Sequence, residues 1–367
     1  MIKVLMLVSN LRAANGVASF AINYYKNLDH SKVQMDFALY SDRESTYYSL
    51  IEECGGKIFV LPSIKKMPEH IKACNEILER RAYDVIHDNT LHISIPMMWC
   101  AKQTHVPIRV LHSHNTKMGE KFGKEIRNKC FLPIIRGLAT DNAACSIDAG
   151  KAMFGNRSFE VIPNVVSTEK YKFDMATRLK VRKLMKTTEK LIVGTVGRLA
   201  EQKNPFFAVD VFEKLLKRVP NVEYWWIGSG GLDNQVIDYV EKKNLSQNVK
   251  ILGSRADVLD LYQAMDCFFL PSLFEGLPVT GVEAQAMGLP MVVSDTITKE
   301  MEYSDLIDYV GLNEKPEIWA EHLKLALERT IEREKYSEKL KMSIFSDIGC
   351  GDRLLSIYQK ILQKGNV

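Results

Sequence analysis

Cys267-Phe268-Phe269-Leu270-Pro271, continuing through Phe274-Glu275-Gly276-Leu277-Pro278-Val279-Thr280-Gly281-Val282-Glu283, decides how this chain folds. The apolar run predicts a buried strand. The Gly-Leu-Pro turn predicts a loop, and the small residues after it predict the start of a helix. Glu275 then sits on the loop, and Glu283 eight residues later on the first turns of the helix. Such a loop offers backbone N–H groups at a helix N-terminus, which suits an anion. The two acids flank that position at different depths, a mixture suited to diphosphate, ribose and sugar hydroxyls. For a lone acid the plainer reading is a helix cap. The surrounding sequence decides between the two.

Strand-like runs recur on both sides of this stretch. They occupy 2–8, 34–40, 57–61, 84–87, 107–112, 140–145 and 159–162, then 190–197, 222–228, 249–252, 267–270 and 290–294. Helical patterns alternate with them, among others at 16–28, 69–80, 119–137, 204–218, 231–243 and 316–332. Alternating β and α with near-continuous apolar strands predicts parallel sheets covered on both faces. The pattern restarts after the polar stretch Lys170–Lys190, which reads as a linker. The expectation is an α/β chain of two doubly wound, Rossmann-like domains, 1–187 and 188–347, facing across a cleft. A last helix, about 348–364 within the tail 348–367, is expected to cross back to the first domain. Ligands of such sheets sit beyond the carboxyl ends of the strands.

The 367 residues, 46% hydrophobic and 26% charged, fit two soluble globular domains. No apolar run reaches the length of a transmembrane helix. Residues 2–8 are apolar but short, with Asn10 and Arg12 close behind, and read as a buried strand rather than a signal peptide. The seven cysteines are scattered and include no C-x-x-C pair, which predicts reduced thiols, a cytoplasmic location and no zinc site. Residues 1–187 carry ten more basic than acidic side chains, and residues 188–367 six more acidic than basic. A basic half can face an anionic membrane or substrate, or the difference is drift in surface charge.

In the second half, strand 190–197 runs into Gly197-Arg198-Leu199 and Lys203-Asn204-Pro205. Two cations lie just before a helix with Asn204 as expected cap and Pro205 at its first position. That loop is a candidate diphosphate clamp. Strand 222–228 ends in Gly228-Ser229-Gly230-Gly231, which permits close backbone approach to a ligand or simply makes a tight turn. Strand 249–252 leads to Gly253-Ser254-Arg255, where a base can rest. Four such loops on one edge of one sheet point jointly to a nucleotide diphosphate.

In the first half, strand 107–112 leads into His112-Ser113-His114-Asn115. If the strand continued, the two histidines are expected to face opposite ways, one into the cleft. No third ligand accompanies them, so a metal is not indicated. The first loop, Asn10 to Gly16, lacks G-x-G-x-x-G, the dinucleotide fingerprint. No Asp-x-Asp pair exists either, so Arg198, Lys203 and helix N-termini are left to offset a diphosphate.

Together these stretches resemble the retaining glycosyltransferases of family 4, which have the GT-B fold. The likeness spans nearly the whole chain. It is most specific at Gly197-Arg198-Leu199 with Lys203-Asn204 and at the E-x7-E stretch from Glu275 to Glu283. The resemblance implies a nucleotide-sugar donor on the C-terminal domain and an acceptor on the N-terminal one. It implies diphosphate binding by Arg198 and Lys203, and ribose binding by Glu283. It gives the transferred sugar to Glu275, with Gly276, Leu277, Pro278, Val279 and Thr280 supporting sugar and phosphates. Gly16 matches the loop glycine that closes over the donor, and His114 the histidine near the sugar. His114 and Glu275 are the implied catalytic residues. Gly228 and Arg255 complete the candidate donor site. Asn115 and Asn15 depart from the family's usual Asp and Gly. The implied mechanism is front-face transfer with retention, independent of metal and cofactor, the nucleotide-sugar being a co-substrate.

The donor expected from family tendency is UDP with a hexose or N-acetylhexosamine. The expected acceptor is a glycan or polyprenyl-diphosphate-linked glycan of capsule or exopolysaccharide assembly. Helix 119–137 sets Met118, Phe122, Ile126, Cys130 and Ile134 at four-residue spacing among Lys117, Lys121, Lys124, Arg127 and Lys129. It either lies on anionic lipid at the inner face of the plasma membrane or turns its apolar side to the core. The alternatives in function are a sugar-nucleotide epimerase or hydrolase, and an inactive partner subunit. No aromatic-interleaved basic motif points to nucleic acid.

Overall fold

Buried on both faces, the apolar runs form two wholly parallel sheets. The computed structural model describes residues 1–365 except 13–15, 42–44, 118 and 120–121. It divides into one unit of Met1–Val165 with Asp347–Val367 and a second of Val166–Ser346.

The first unit holds β1 (Ile2–Val8), β2 (Val33–Leu39), β3 (Ile58–Val60), β4 (Val85–Asp88), β5 (Ile108–Ser113), β6 (Asp141–Ala144) and β7 (Glu160–Val161). Their order is β3-β2-β1-β4-β5-β6-β7, so the chain reverses direction across the sheet between β1 and β4. Val4, Met6, Phe20, Tyr24 and Phe37 are core residues, and Leu354, Tyr358 and Ile361 of helix Cys350–Gly365 join the same core. Tyr24 donates a hydrogen bond to the Pro163 carbonyl at 2.9 Å.

The second unit holds β8 (Leu191–Val196), β9 (Val222–Ile227), β10 (Val249–Gly253), β11 (Cys267–Leu270), β12 (Met291–Ser294) and β13 (Ile307–Val310), in the order β10-β9-β8-β11-β12-β13. Its reversal lies between β8 and β11. Ligands of doubly wound sheets bind outside the strand ends at such reversals. The loops after β8 and β11, 197–204 and 271–278, are those the sequence singled out. Strand β13 escaped the sequence reading. It is a four-residue edge strand with only Val310 buried, so its hydrophobic signal is slight.

The units part at Val165/Val166, not at 187/188. The polar stretch read as a linker contains helix Met175–Leu184, which belongs to the second unit. Its inner side is anchored: Arg178 pairs with Asp266 and donates to the carbonyls of Gln263, Ala264 and Met265. Arg182 reaches Asp266 at 3.0 Å. Two arginines that look solvated in sequence are thus the fastening of the helix. Counted by these units, the charge contrast shrinks to +6 and −2, because the basic residues of 166–187 lie in the second.

In helix Phe122–Leu138 the core side is supplied by Leu132, Ile135 and Leu138. Ile126 and Ile134 are 47% and 50% exposed, and Cys130 is exposed. At these three positions the core-facing reading fails. Met118 and Lys121, and the side chains of Phe122 and Lys124, lie outside the described residues. Among the described residues no helix is long and apolar enough to cross a membrane.

Candidate active site

In the second unit the loop after β8 and the loop after β11 are tied by an ion pair. Lys203 Nζ lies 2.7 Å from Glu275 Oε1, with side-chain exposures of only 13% and 9%. Gln202 donates through Nε2 to Glu275 Oε2 at 3.2 Å and to the Phe274 carbonyl at 3.0 Å. Leu273 N donates to the Gln202 carbonyl at 2.8 Å. Gly197 borders the pair, since a Cβ there would meet Lys203 Cε at 2.9 Å. Arg198 is exposed beside it.

Helix Val279–Ala286 starts directly behind Glu275, with Pro278 in the cap position and no side-chain cap. Thr280 Oγ1 is buried without a partner among the described residues. An uncapped helix start with an orphaned hydroxyl is a place for an anion or a hydroxylated ligand. Glu283 does not cap the helix. Tyr171 donates to its Oε1 at 2.6 Å and Tyr262 to its Oε2 at 3.0 Å. Burial raises the Glu283 carboxyl above its ordinary range, and the two tyrosine hydroxyls oppose that rise.

Two of the glycines after β9 are required by the packing of their loop. Gly228 has φ +131°, and a Cβ there would collide with the Gly197 carbonyl; one on Gly230 would collide with Leu199. The loop after β9 is therefore pressed against the loop carrying Arg198. Asn204 precedes helix Pro205–Leu216 as expected, but its side chain makes no cap. It takes the left-handed conformation, φ 55°, to turn a short 3-10 segment into the helix. Arg255 is exposed and engaged by Asp257 at 2.8 and 2.6 Å.

In the first unit a chain of rings runs beneath the ends of β4 and β5. Tyr358 Oη lies 2.8 Å from His87 Nδ1, and His87 Nε2 lies 2.9 Å from His112 Nδ1. His112 stacks on His114 with centroids 4.0 Å apart and planes 28° apart. The two histidines thus lie on the same side and not on opposite sides; residues i and i+2 of a strand share a face, and His114, one residue past the end of β5, keeps to it. Burial lowers His87 and His114 to about 3 and His112 well below its ordinary value, so the cluster is neutral at physiological pH. Asp88 beside it is buried and raised to about 6 by desolvation, against hydrogen bonds from Ser94 and Thr90. Gly16 opens helix Gly16–Lys26 and is exposed. Asn15 lies outside the described residues.

Over 334 residues, 87% of this chain and 86% of the relative, the sequence is 31% identical to the putative glycosyltransferase EpsF of Bacillus subtilis (strain 168). Residues 177–342 match the family described as Glycosyl transferases group 1. The chain is a group 1 glycosyltransferase. It is also 28% identical, over 60% of both chains, to the UDP-Gal:alpha-D-GlcNAc-diphosphoundecaprenol alpha-1,3-galactosyltransferase of Escherichia coli. Among solved structures, Anabaena Alr3699/HepE in complex with UDP and glucose superposes with a TM-score of 0.81 at 17% identity, covering 98% of this chain and 100% of that one. That likeness is one of fold, and the two Rossmann-like units are those of GT-B.

Within this glycosyltransferase the structure gathers Arg198, Lys203, Gly228 and the stretch Glu275–Glu283 at one sheet edge. Arg255 stands apart at the rim, tied to its own neighbour. Gly16 and His114 lie in the other unit. Gln202, Tyr171, Tyr262, Asn89, His87 and Tyr358 were given no role from the sequence. A signal existed for three of them: His87-Asp88-Asn89-Thr90 is a polar cluster at a strand's carboxyl end, and Gln202 sits between the basic residues. Tyr171 fell inside the supposed linker. Tyr262 and Tyr358 read as core aromatics. Among the described residues, no group of three or more His, Cys, Asp and Glu is placed to hold a metal ion.

Proposed function

We propose that this glycosyltransferase moves a hexose or N-acetylhexosamine from a UDP-sugar to a lipid-linked glycan in cell-surface polysaccharide assembly, with retention at the anomeric carbon and without a metal. The observation that carries the proposal is the buried Lys203–Glu275 pair set against the uncapped start of helix Val279–Ala286. One cation and one acid converge there at the first turn of a helix without a side-chain cap. Arg198 and Lys203 take the diphosphate, Glu275 takes the sugar, and Glu283 takes the ribose, its carboxylate oriented by Tyr171 and Tyr262. A diphosphate arriving at Lys203 shares the cation with Glu275 and leaves that acid able to hold a sugar hydroxyl. Fixed charges of this kind stabilise the charge that develops on the leaving phosphate. That phosphate can accept the acceptor's proton, and His114 positions the sugar.

Two relatives support the nucleotide and acceptor classes. The E. coli protein is named for a UDP-galactose donor and a diphosphoundecaprenol-linked acceptor, and the Anabaena protein is seen with UDP and with UDP-glucose. The capsular polysaccharide biosynthesis glycosyltransferase CapH of Staphylococcus aureus, 26% identical, supports the pathway class. The exposed Ile126 and Ile134 with Arg127 and Lys129 support peripheral docking on an anionic cytoplasmic leaflet.

A thermal-shift screen of sugar nucleotides tests the donor, since a ligand of the native state raises the melting temperature. Transfer from the donor so found to a polyprenyl-diphosphate glycan, with the anomer read by NMR, tests the reaction. Retention is expected. Inversion, or conversion of donor without acceptor, contradicts the proposal. Failure to bind anionic vesicles at low salt removes the membrane part alone.

A further inference from the structure

Asn89 follows β4, is buried, and touches His114 directly. Its amide nitrogen lies 3.1 Å from the Leu7 carbonyl, 3.3 Å from the His87 carbonyl and 2.9 Å from the Met6 sulfur. Carbonyl oxygens only accept, so the NH2 group must face them, and this fixes which way the amide points. Oδ1 then faces His114 Nε2 at 2.7 Å. Oδ1 also only accepts, so His114 Nε2 carries hydrogen. A neutral ring with hydrogen on Nε2 has its lone pair on Nδ1, and His114 Nδ1 has no partner among the described residues. His112 stacked over the ring and Phe20 against it, at 4.0 and 5.0 Å between centroids, hold its orientation.

We propose that Asn89 is a positioning residue that locks His114 in the Nε2–H tautomer, so that Nδ1 presents an acceptor and the sugar group it meets is a hydroxyl rather than a carboxylate. This rests on the reading above, in which His114 meets the transferred sugar. It narrows the donor class to neutral sugars. A hexuronate placed there would set a desolvated carboxylate against a lone pair with nothing donating to it, and sites that leave a buried polar group unpaired discriminate strongly.

The test combines a spectrum with kinetics. In histidine-labelled protein, 15N NMR at neutral pH is expected to show His114 neutral and protonated on Nε2, with the assignment made by the His114→Gln spectrum. Asn89→Leu, which cannot accept, should lose that tautomer. Its kcat for the neutral donor should fall about tenfold with donor KM unchanged, because UDP is held elsewhere. Asn89→Asp still accepts from Nε2 but adds a negative charge that favours the imidazolium. It should keep the Nε2 hydrogen, gain one on Nδ1, and raise the ratio of hexuronate to hexose turnover. If Asn89→Leu does not fold, Asn89→Asp and the wild-type spectrum carry the test. An Nδ1–H tautomer in the wild type, or an unchanged kcat in folded Asn89→Leu, overturns the proposal. If no sugar nucleotide is turned over while the wild-type tautomer is as stated, the glycosyl-transfer reading fails and the role of Asn89 in holding His114 stands.

Discussion

The two units share a strand plan and differ in what they place at its reversal. In the second, charge dominates: Lys203, Glu275 and Arg198 on loops pressed together by Gly197 and Gly228. In the first, charge is absent where it would be expected. Three histidines are neutral, Asn89 is an amide, and the acid nearby, Asp88, is used up by Thr90 and Ser94. On the proposed function, one scaffold offers two recognition chemistries, a charged one for the diphosphate and an uncharged one for hydroxyls. The difference lies in the last residues of the strands and the loops that follow, as with His87 and His112 at the ends of β4 and β5, and not in the strand order, which is why fold and function were legible to different degrees.

The largest effect should come from breaking the charged side. Glu275→Gln or Lys203→Met should lower turnover about 10²- to 10³-fold in initial-rate assays. Because the pair is buried, removing one partner should also cost about 3 kcal/mol of stability, measured by urea unfolding. The double variant should recover much of the stability and none of the turnover, which separates the two roles. Gly228→Ala tests the support beneath that side. Its backbone angle and the nearby Gly197 carbonyl should make it destabilising by about 2–4 kcal/mol, with weaker UDP binding as a consequence.

Acid should sharpen the contrast. His87 and His112 are held far below the ordinary histidine value near 6.5, so the unfolded chain takes up protons first. Their contribution to stability is full above about pH 6.5 and is lost as pH falls below it, at about 1.4 kcal/mol per pH unit for each. Asp88, raised to about 6, works the other way between about pH 6 and its unfolded value near 3.8. In the second unit Glu283 is also raised, so acidification favours its folded form. Hydrogen exchange is therefore expected to show the first unit opening before the second between about pH 6.5 and 5. A second unit that opens first would contradict this. The smallest effect is expected from Tyr171→Phe, which removes one hydrogen bond to Glu283. UDP affinity should fall about fivefold, near 1 kcal/mol, in a titration.

The parallel sheets could be read from apolar runs such as Cys267–Leu270, because strands buried on both faces carry the signal in composition alone. Lys203 and Glu275 could be placed because charges on loops after such strands stand out. Their pairing could not, since loop-to-loop contacts have no period in sequence. The boundary was misplaced because Arg178 and Arg182 are polar in sequence yet buried by partners up to 88 residues away. The roles of Gly228 and Asn89 depend on carbonyls of other segments, which no local pattern announces.

Hydrogen exchange with UDP alone tests the division between the units most directly. UDP is expected to protect 197–203 and 274–283 in the second unit, leaving 87–89 and 112–114 unchanged until the sugar is present. Protection of 87–89 and 112–114 by UDP alone, with the second unit's loops unaffected, would contradict the account.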